Sequence, residues 1–136
     1  MKDTIRQIKS FILDMDGTIY LGNELFDYTL DFLRTVEETG RKYYFFTNNS
    51  SRSQQAYIDK LAAMGIKIRP GQMMISSHVM IQYLKKYHPD ESLYVVGTPS
   101  LLREFEAYDM PLTEIDPDIV ILGFDTTLTY EKMSKA

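Results

Sequence analysis

Phe11-Ile12-Leu13-Asp14-Met15-Asp16-Gly17-Thr18 is the stretch from which the rest of the chain is best read. A short apolar run that ends in turn residues reads as a buried strand. Strands apolar along their whole length belong to parallel sheets covered by helices. In such sheets ligands bind just beyond the carboxyl ends of the strands, which is where Asp14 and Asp16 stand. Two acids one residue apart at the mouth of a site allow a division of labour, one as nucleophile and the other as proton donor. Gly17 lets the backbone turn and approach a ligand closely. Two plainer readings compete. One is an ordinary polar turn after a strand. The other is a calcium loop, which is disfavoured: the EF-hand pattern puts a helix before the first acid and glycine at the sixth position. Here a strand comes first and glycine is fourth.

The whole chain narrows the classes. Its 136 residues fit one domain of ordinary size, and 44% apolar residues are enough for a core. Fifteen Lys and Arg against nineteen Asp and Glu leave a formal charge of −4, and Lys85-Lys86 is the densest basic pair. No nucleic-acid partner is therefore expected. No apolar run approaches the ~18 residues of a membrane span, so no membrane partner is expected either. Charges interrupt the N-terminus, which lacks the pattern of a secretory signal. Cysteine is absent, which removes disulfides and thiol chemistry. A cytoplasmic location is the expectation that follows.

Along the chain, strands and helices alternate. The first strand is expected over Lys9–Leu13. Gly22-Asn23 between apolar arms signals a hairpin, a small flap beside the two acids. A helix over Asp27–Thr39 should bury Leu30, Leu33 and Val36 and stop at Gly40. Tyr43–Phe46 forms a second strand, parallel to the first through a right-handed crossover. Ser51 and Gln54 have capping-box spacing for a helix that buries Tyr57, Leu61 and Met64 and closes at Gly65. Pro70-Gly71 is a break. Ser76-Ser77 should cap a third helix with Met80, Tyr83, Leu84 and Tyr87 on its core face. Leu93–Val96 is a strand. Thr98-Pro99 starts a helix with Leu101, Phe105 and Tyr108 inward. Ile119–Leu122 reads as another buried strand, and Thr129–Ala136 as the opening turns of a helix. His78 and His88 read as helix-end residues, and Asp125 as a turn residue.

A second constellation follows the second strand. Thr47-Asn48-Asn49-Ser50-Ser51 supplies hydroxyl and amide donors without charge, next to a helix start that favours an anion. Helix capping is the plainer reading of the run. Yet adjacent parallel strands would bring these donors beside Asp14 and Asp16. Carboxylates alone repel a phosphate; a divalent cation between them reverses the sign, and Mg²⁺ is usually held by one or two carboxylates plus substrate phosphate.

Asp14-Met15-Asp16-Gly17-Thr18 resembles the first motif, DxDGT, of the haloacid-dehalogenase-like hydrolase superfamily, and Thr47-Asn48 resembles its second. The fuller string Thr47–Ser51, with Gly22-Asn23 between the motifs, is similar to the subgroup of NagD-like and nitrophenyl-phosphatase-like proteins, in which a cap domain follows the second motif. The resemblance covers nearly the whole chain. It implies an α/β fold: a Rossmann-like parallel-sheet core over residues 1–77, then the start of an α/β cap domain over 78–136. It implies a Mg²⁺-dependent phosphatase acting on a small phosphorylated metabolite through an aspartyl-phosphate. Asp14 would be the nucleophile, and Asp16 the general acid and then base. Asp14 and the carbonyl of Asp16 would hold the metal. Thr47 and the N–H of Asn48 would bind the phosphoryl group, with Asn49 orienting substrate and Gly17 close to it. The family's third motif, a lysine, and fourth, an acidic pair, have no counterpart here; Lys132 and Lys135 lie in the cap-like end. The chain is thus expected to be the N-terminal portion of a longer phosphatase. Its half sheet would leave an unpaired edge through which copies could form a homo-oligomer. A phosphotransferase or mutase of the same fold, and a non-catalytic module that binds a phosphate ligand, are the alternatives.

Overall fold

The computed structural model describes residues 7–136. The N-terminal stretch on which the secretory-signal reading rests, and the start of the 1–77 core, lie outside the described residues. Two compact units divide the chain: one comprises residues up to Thr47 together with Gln54–Met74, the other Asn48–Ser53 together with Ile75–Ala136.

The first unit is built on a three-stranded sheet. Strand β1 (Ser10–Leu13) is followed by a two-residue ribbon, β2 (Tyr20–Leu21) and β3 (Glu24–Leu25), then helix α1 (Thr29–Glu38) and strand β4 (Lys42–Thr47). Helix α2 (Gln54–Ala63), a 3₁₀ turn at Pro70–Gln72 and strand β5 (Met73–Ile75) come next. The sheet order is β1-β4-β5, and β1 pairs with β4 in parallel, Ser10 with Lys42 through Leu13 with Phe45. The ribbon is the expected hairpin, antiparallel, with Leu21 opposite Glu24. Phe45, Leu61, Tyr20 and Met15 are buried in this unit.

Several details differ from expectation. Strand β1 is not buried on both faces: Ile12 is 77% exposed, while Phe11 packs edge-on against Phe32 at 5.6 Å. Among the described residues the strand also has one neighbour in the sheet, so its other edge is unpaired. Helix α1 buries Thr29, Leu33 and Val36 and leaves Leu30 half exposed. The Thr29 hydroxyl donates to the Ile19 carbonyl at 2.7 Å, which turns the helix so that Thr29 faces inward. The Ser51–Gln54 capping box does not form. Asn49 Oδ1 takes both the N–H and the hydroxyl of Ser51, at 3.1 and 2.6 Å, and the Gln54 amide donates to the Met73 carbonyl instead. Strand β5 had no signal in the sequence, being three residues long and methionine-rich next to a Pro-Gly break.

The second unit holds helix α3 (Ser76–Tyr87), strand β6 (Leu93–Val96), helix α4 (Pro99–Ala107), strand β7 (Ile119–Leu122) and helix α5 (Tyr130–Lys135). Strands β6 and β7 pair in parallel, Leu93 with Ile119 through Val96 with Leu122. Ile81, Leu84, Leu93, Val95, Leu101 and Phe105 form its core. Thr98 caps α4 by accepting from the Leu101 N–H at 3.3 Å, with Pro99 at the first position as expected. Leu101 packs between two glycines: a Cβ on Gly97 would come within 2.5 Å of its Cδ2, and one on Gly123 closer still.

Here too the apolar faces shift. Helix α3 has no side-chain cap and buries Ser77, Ile81 and Leu84. Tyr83 and Tyr87, expected in the core, are half exposed, and their rings meet each other at 5.0 Å. Tyr108 is likewise 40% exposed. Strand β7 is an edge rather than a buried strand, with Leu122 75% exposed. Among the described residues, no helix is long and apolar enough to cross a membrane.

Candidate active site

Strand β1 delivers Asp14 one residue past its end. The chain then closes a tight loop on the carbonyl of Met15, which accepts the N–H groups of Thr18, Ile19 and Tyr20 at 3.0, 2.8 and 3.3 Å. Gly17 makes this possible with φ +81, a conformation that costs other residues energy, and its N–H donates to Tyr20 O at 2.8 Å. Met15 is fully buried beneath the loop. Alternation along the chain therefore leaves the side chains on either side of it, Asp14 and Asp16, exposed.

Thr47 ends β4 and is 2% exposed. The parallel register pairs Leu13 with Phe45. Neighbouring strands lie about 4.8 Å apart. Asp14, Asp16 and Gly17 thus follow the carboxyl end of β1, and Thr47 ends the adjacent parallel strand β4. Three local causes are at work: the apolar strand, the glycine turn, and the end of a second strand.

Asn48 and Asn49, also singled out in the sequence, belong to the second unit. Asn48 is exposed and its carbonyl accepts from Ser76 Oγ at 3.1 Å. Asn49 uses its carboxamide oxygen on Ser51. Ser50 accepts from the Phe124 N–H at 2.9 Å, and the Ser51 carbonyl accepts from Thr98 Oγ1 at 3.0 Å. Ser50 and Ser51 therefore tie the loop to the chain after β6 and β7, where capping of α2 had been the plain expectation.

Other polar groups in the second unit serve structure. Lys132 Nζ reaches the Gly97 carbonyl at 2.9 Å, Asp125 Oδ2 at 2.7 Å and Thr127 Oγ1 at 3.0 Å. Burial works against ionising Asp125, but the hydrogen bonds from Lys132 and Thr127 outweigh it and hold the carboxyl below its ordinary pKa. His78 pairs with Glu104 at 2.5 Å, clipping the start of α3 to α4. Neither link was legible in the sequence, because each joins residues from separate elements.

A metal would find a limited donor set. Among the described residues, no group of three or more His, Cys, Asp or Glu is placed to hold an ion. Two exposed carboxylates at a strand tip nevertheless match what Mg²⁺ usually takes from a protein, the remaining positions going to water and substrate phosphate.

The chain is similar to known proteins. The family model described as haloacid dehalogenase-like hydrolase matches residues 11–111. The 5'-nucleotidase YutF of Bacillus subtilis is 32% identical over 130 residues, covering 96% of this chain and 51% of that protein. An acid sugar phosphatase of Staphylococcus aureus is 29% identical over 133 residues, covering 97% and 51%. The crystal structure of a 4-nitrophenylphosphatase from Thermotoga maritima superposes with a TM-score of 0.88 at 42% identity, over 94% of this chain and 49% of that one. The chain spans about half the length of the curated relatives it matches.

Proposed function

Because the chain belongs to the haloacid dehalogenase-like hydrolase family, we propose that it carries the nucleophile end of a Mg²⁺-dependent phosphatase for small phosphate monoesters. What supports this reading most is the parallel pairing of β1 with β4, two strands of which one runs into Asp14 and Asp16 and the other ends at Thr47.

In the proposed cycle a carboxylate oxygen of Asp14 attacks phosphorus and forms an aspartyl-phosphate. The bond to the ester oxygen breaks, and Asp16 gives that oxygen its proton. Asp16, now ionised, takes a proton from water as the water attacks phosphorus. Phosphate leaves and Asp14 is restored. Such proton transfer is worth ~10²–10⁴ in rate. The Thr47 hydroxyl and the Asn48 N–H donate to the phosphoryl oxygens, where aimed donors contribute about 3 kcal/mol each by analogy with oxyanion holes. Asn49 orients the substrate, and Gly17 leaves the backbone open to it. Asp14 and the carbonyl of Asp16 would hold Mg²⁺, which when bound offsets repulsion between the acids and the phosphate. In this reading residues 78–136 begin the cap that selects the ester.

These 136 residues supply no counterpart of the family's third and fourth motifs. The activity is therefore proposed for the chain joined to a segment that provides them, and the 136 residues alone should turn over negligibly. The test follows nitrophenolate release from 4-nitrophenyl phosphate by the joined protein. Support would be Mg²⁺-dependent turnover that Asp14→Asn abolishes and Asp16→Asn lowers by ~10²–10⁴. Turnover that survives Asp14→Asn, or that ignores removal of Mg²⁺ by a chelator, would overturn the proposal.

A further inference from the structure

The amino end of β4 borders a groove that the proposed phosphatase chemistry does not use. It encloses about 430 Å³, within the roughly 300–1,000 Å³ typical of small-molecule sites. Its walls carry Arg41, Lys42, Lys67 and Arg69 against one carboxylate, Glu37, and include the half-buried ring of Tyr44. Four cations around one opening stand out in a chain of net charge −4. Nothing in the sequence marked them, because they come from two short segments that meet only in the fold.

The groove is supported from behind. Arg41 is aimed by two hydrogen bonds, Nε to the Ile8 carbonyl at 2.9 Å and Nη1 to Thr39 Oγ1 at 3.1 Å. The loop bearing Lys67 and Arg69 is pinned to the strand by Gln72, whose amide accepts from the Arg69 N–H at 3.2 Å and donates to the Tyr43 carbonyl at 3.4 Å. Among the described residues, Lys42, Lys67 and Arg69 enter no ion pair. The single acid is already engaged, since Glu37 Oε1 accepts from Tyr43 OH at 3.0 Å. Among the described residues, Lys42, Lys67 and Arg69 thus face a concave site whose lining holds one carboxylate, Glu37.

We propose that this groove binds a small molecule carrying two or more linked phosphates, at a site separate from Asp14. Charge excess favours a multiply charged anion over a monoanion, and the planar fork of Arg69 suits phosphate oxygens. The six residues of β4 separate the groove from the strand tip at Thr47, a span of about 16 Å at the usual rise per residue. One molecule of this size fills one site or the other. The shared chemistry is the polyphosphate group, whether free or on a nucleoside whose base lies against Tyr44.

Calorimetric titration of the chain with tripolyphosphate, and separately with a nucleoside triphosphate, tests this in the presence of a metal chelator. Saturable binding is expected, unchanged in Asp14→Asn and weakened about tenfold when Lys67→Gln and Arg69→Gln are combined. In the unsubstituted chain, amide NMR shifts should cluster at 41–44 and 67–72. Equal affinity for the two probes assigns the site to phosphates alone. Tighter binding of the nucleotide that Tyr44→Leu removes adds the base. Absence of binding, loss of binding in Asp14→Asn, or shifts confined to 14–17 would overturn the proposal. So would binding of a single-stranded oligonucleotide but not of tripolyphosphate. The chelator and Asp14→Asn keep this outcome independent of whether the phosphatase reading holds.

Discussion

Thr29→Val isolates one hydrogen bond that fixes the flap beside the two acids. Thr29 is fully buried, and its hydroxyl donates to the Ile19 carbonyl at 2.7 Å. Valine has nearly the same shape, so the change opens no cavity; what is lost is the hydrogen bond. Removing one partner of a buried pair costs about 1–3 kcal/mol when the other is left unsatisfied. Here the acceptor is not orphaned, because Ile19 O also receives the Phe26 N–H at 3.2 Å. The expected cost therefore falls at the low end, about 1–1.5 kcal/mol. Urea unfolding should show a lower midpoint at unchanged slope, and thermal unfolding a fall of roughly 4 °C per kcal/mol. Thr35→Val is the control: its hydroxyl bonds the Asp31 carbonyl one turn back on an exposed face, at 2.7 Å. Such back-bonding contributes little to a helix, so the control should be nearly neutral. Equal stability of Thr29→Val and the unaltered chain, or equal losses in both variants, would refute the reasoning. Amide exchange at Ile19 and Phe26 should quicken in Thr29→Val and not in the control.

Two titrations probe other parts of the molecule. Burial, then the hydrogen bond to Glu37 and its charge, push the Tyr43 phenol up to about 12. The folded state holds this proton more tightly than the unfolded one, so the stabilisation is complete below pH ~10 and lost as pH rises to about 12. The difference in stability between the unaltered chain and Tyr43→Phe should shrink across that window; a constant difference would contradict the assignment. Asp125 titrates below its ordinary value, so its stabilisation is present above the usual carboxylate range and lost as pH falls through the depressed pKa. Lys132→Met should cost about 2–3 kcal/mol near neutral pH, because the Asp125 side chain is only 2% exposed and would lose its cation. The loss should diminish in acid, and a loss independent of pH would argue that Lys132 acts by packing alone.

Strand and helix order was legible because it rests on local signals. Gly17, Gly40 and Gly65 all adopt positive φ where the sequence asked for turns or helix stops. Thr98-Pro99 caps α4 because both residues suit the first helical turn independently of anything around them. Faces were harder to read than boundaries. On α3 the positions Met80, Tyr83, Leu84 and Tyr87 have helical spacing, yet the helix turns Ile81 and Leu84 inward. A stripe of amphipathic residues offers two overlapping apolar arcs, and which arc is buried depends on partners the sequence does not name. At Ser51 the capping-box spacing was right, but the nearer Asn49 Oδ1 takes the backbone N–H that the Gln54 side chain would have accepted.

The apolar runs of β1 and β7 carry the most physical content. Both were read as buried on two faces, and both leave a large residue open, Ile12 at 77% and Leu122 at 75%. A strand pattern records the environment for which a sequence is suited, and continuous apolar runs are suited to cover on both sides. Burying an isoleucine or leucine stabilises by about 1.5–3 kcal/mol, a gain these two side chains forgo among the described residues. The exposure is therefore a mismatch between pattern and surroundings at two separate strands, one in each unit. The acids of the candidate site sit at the end of one of them.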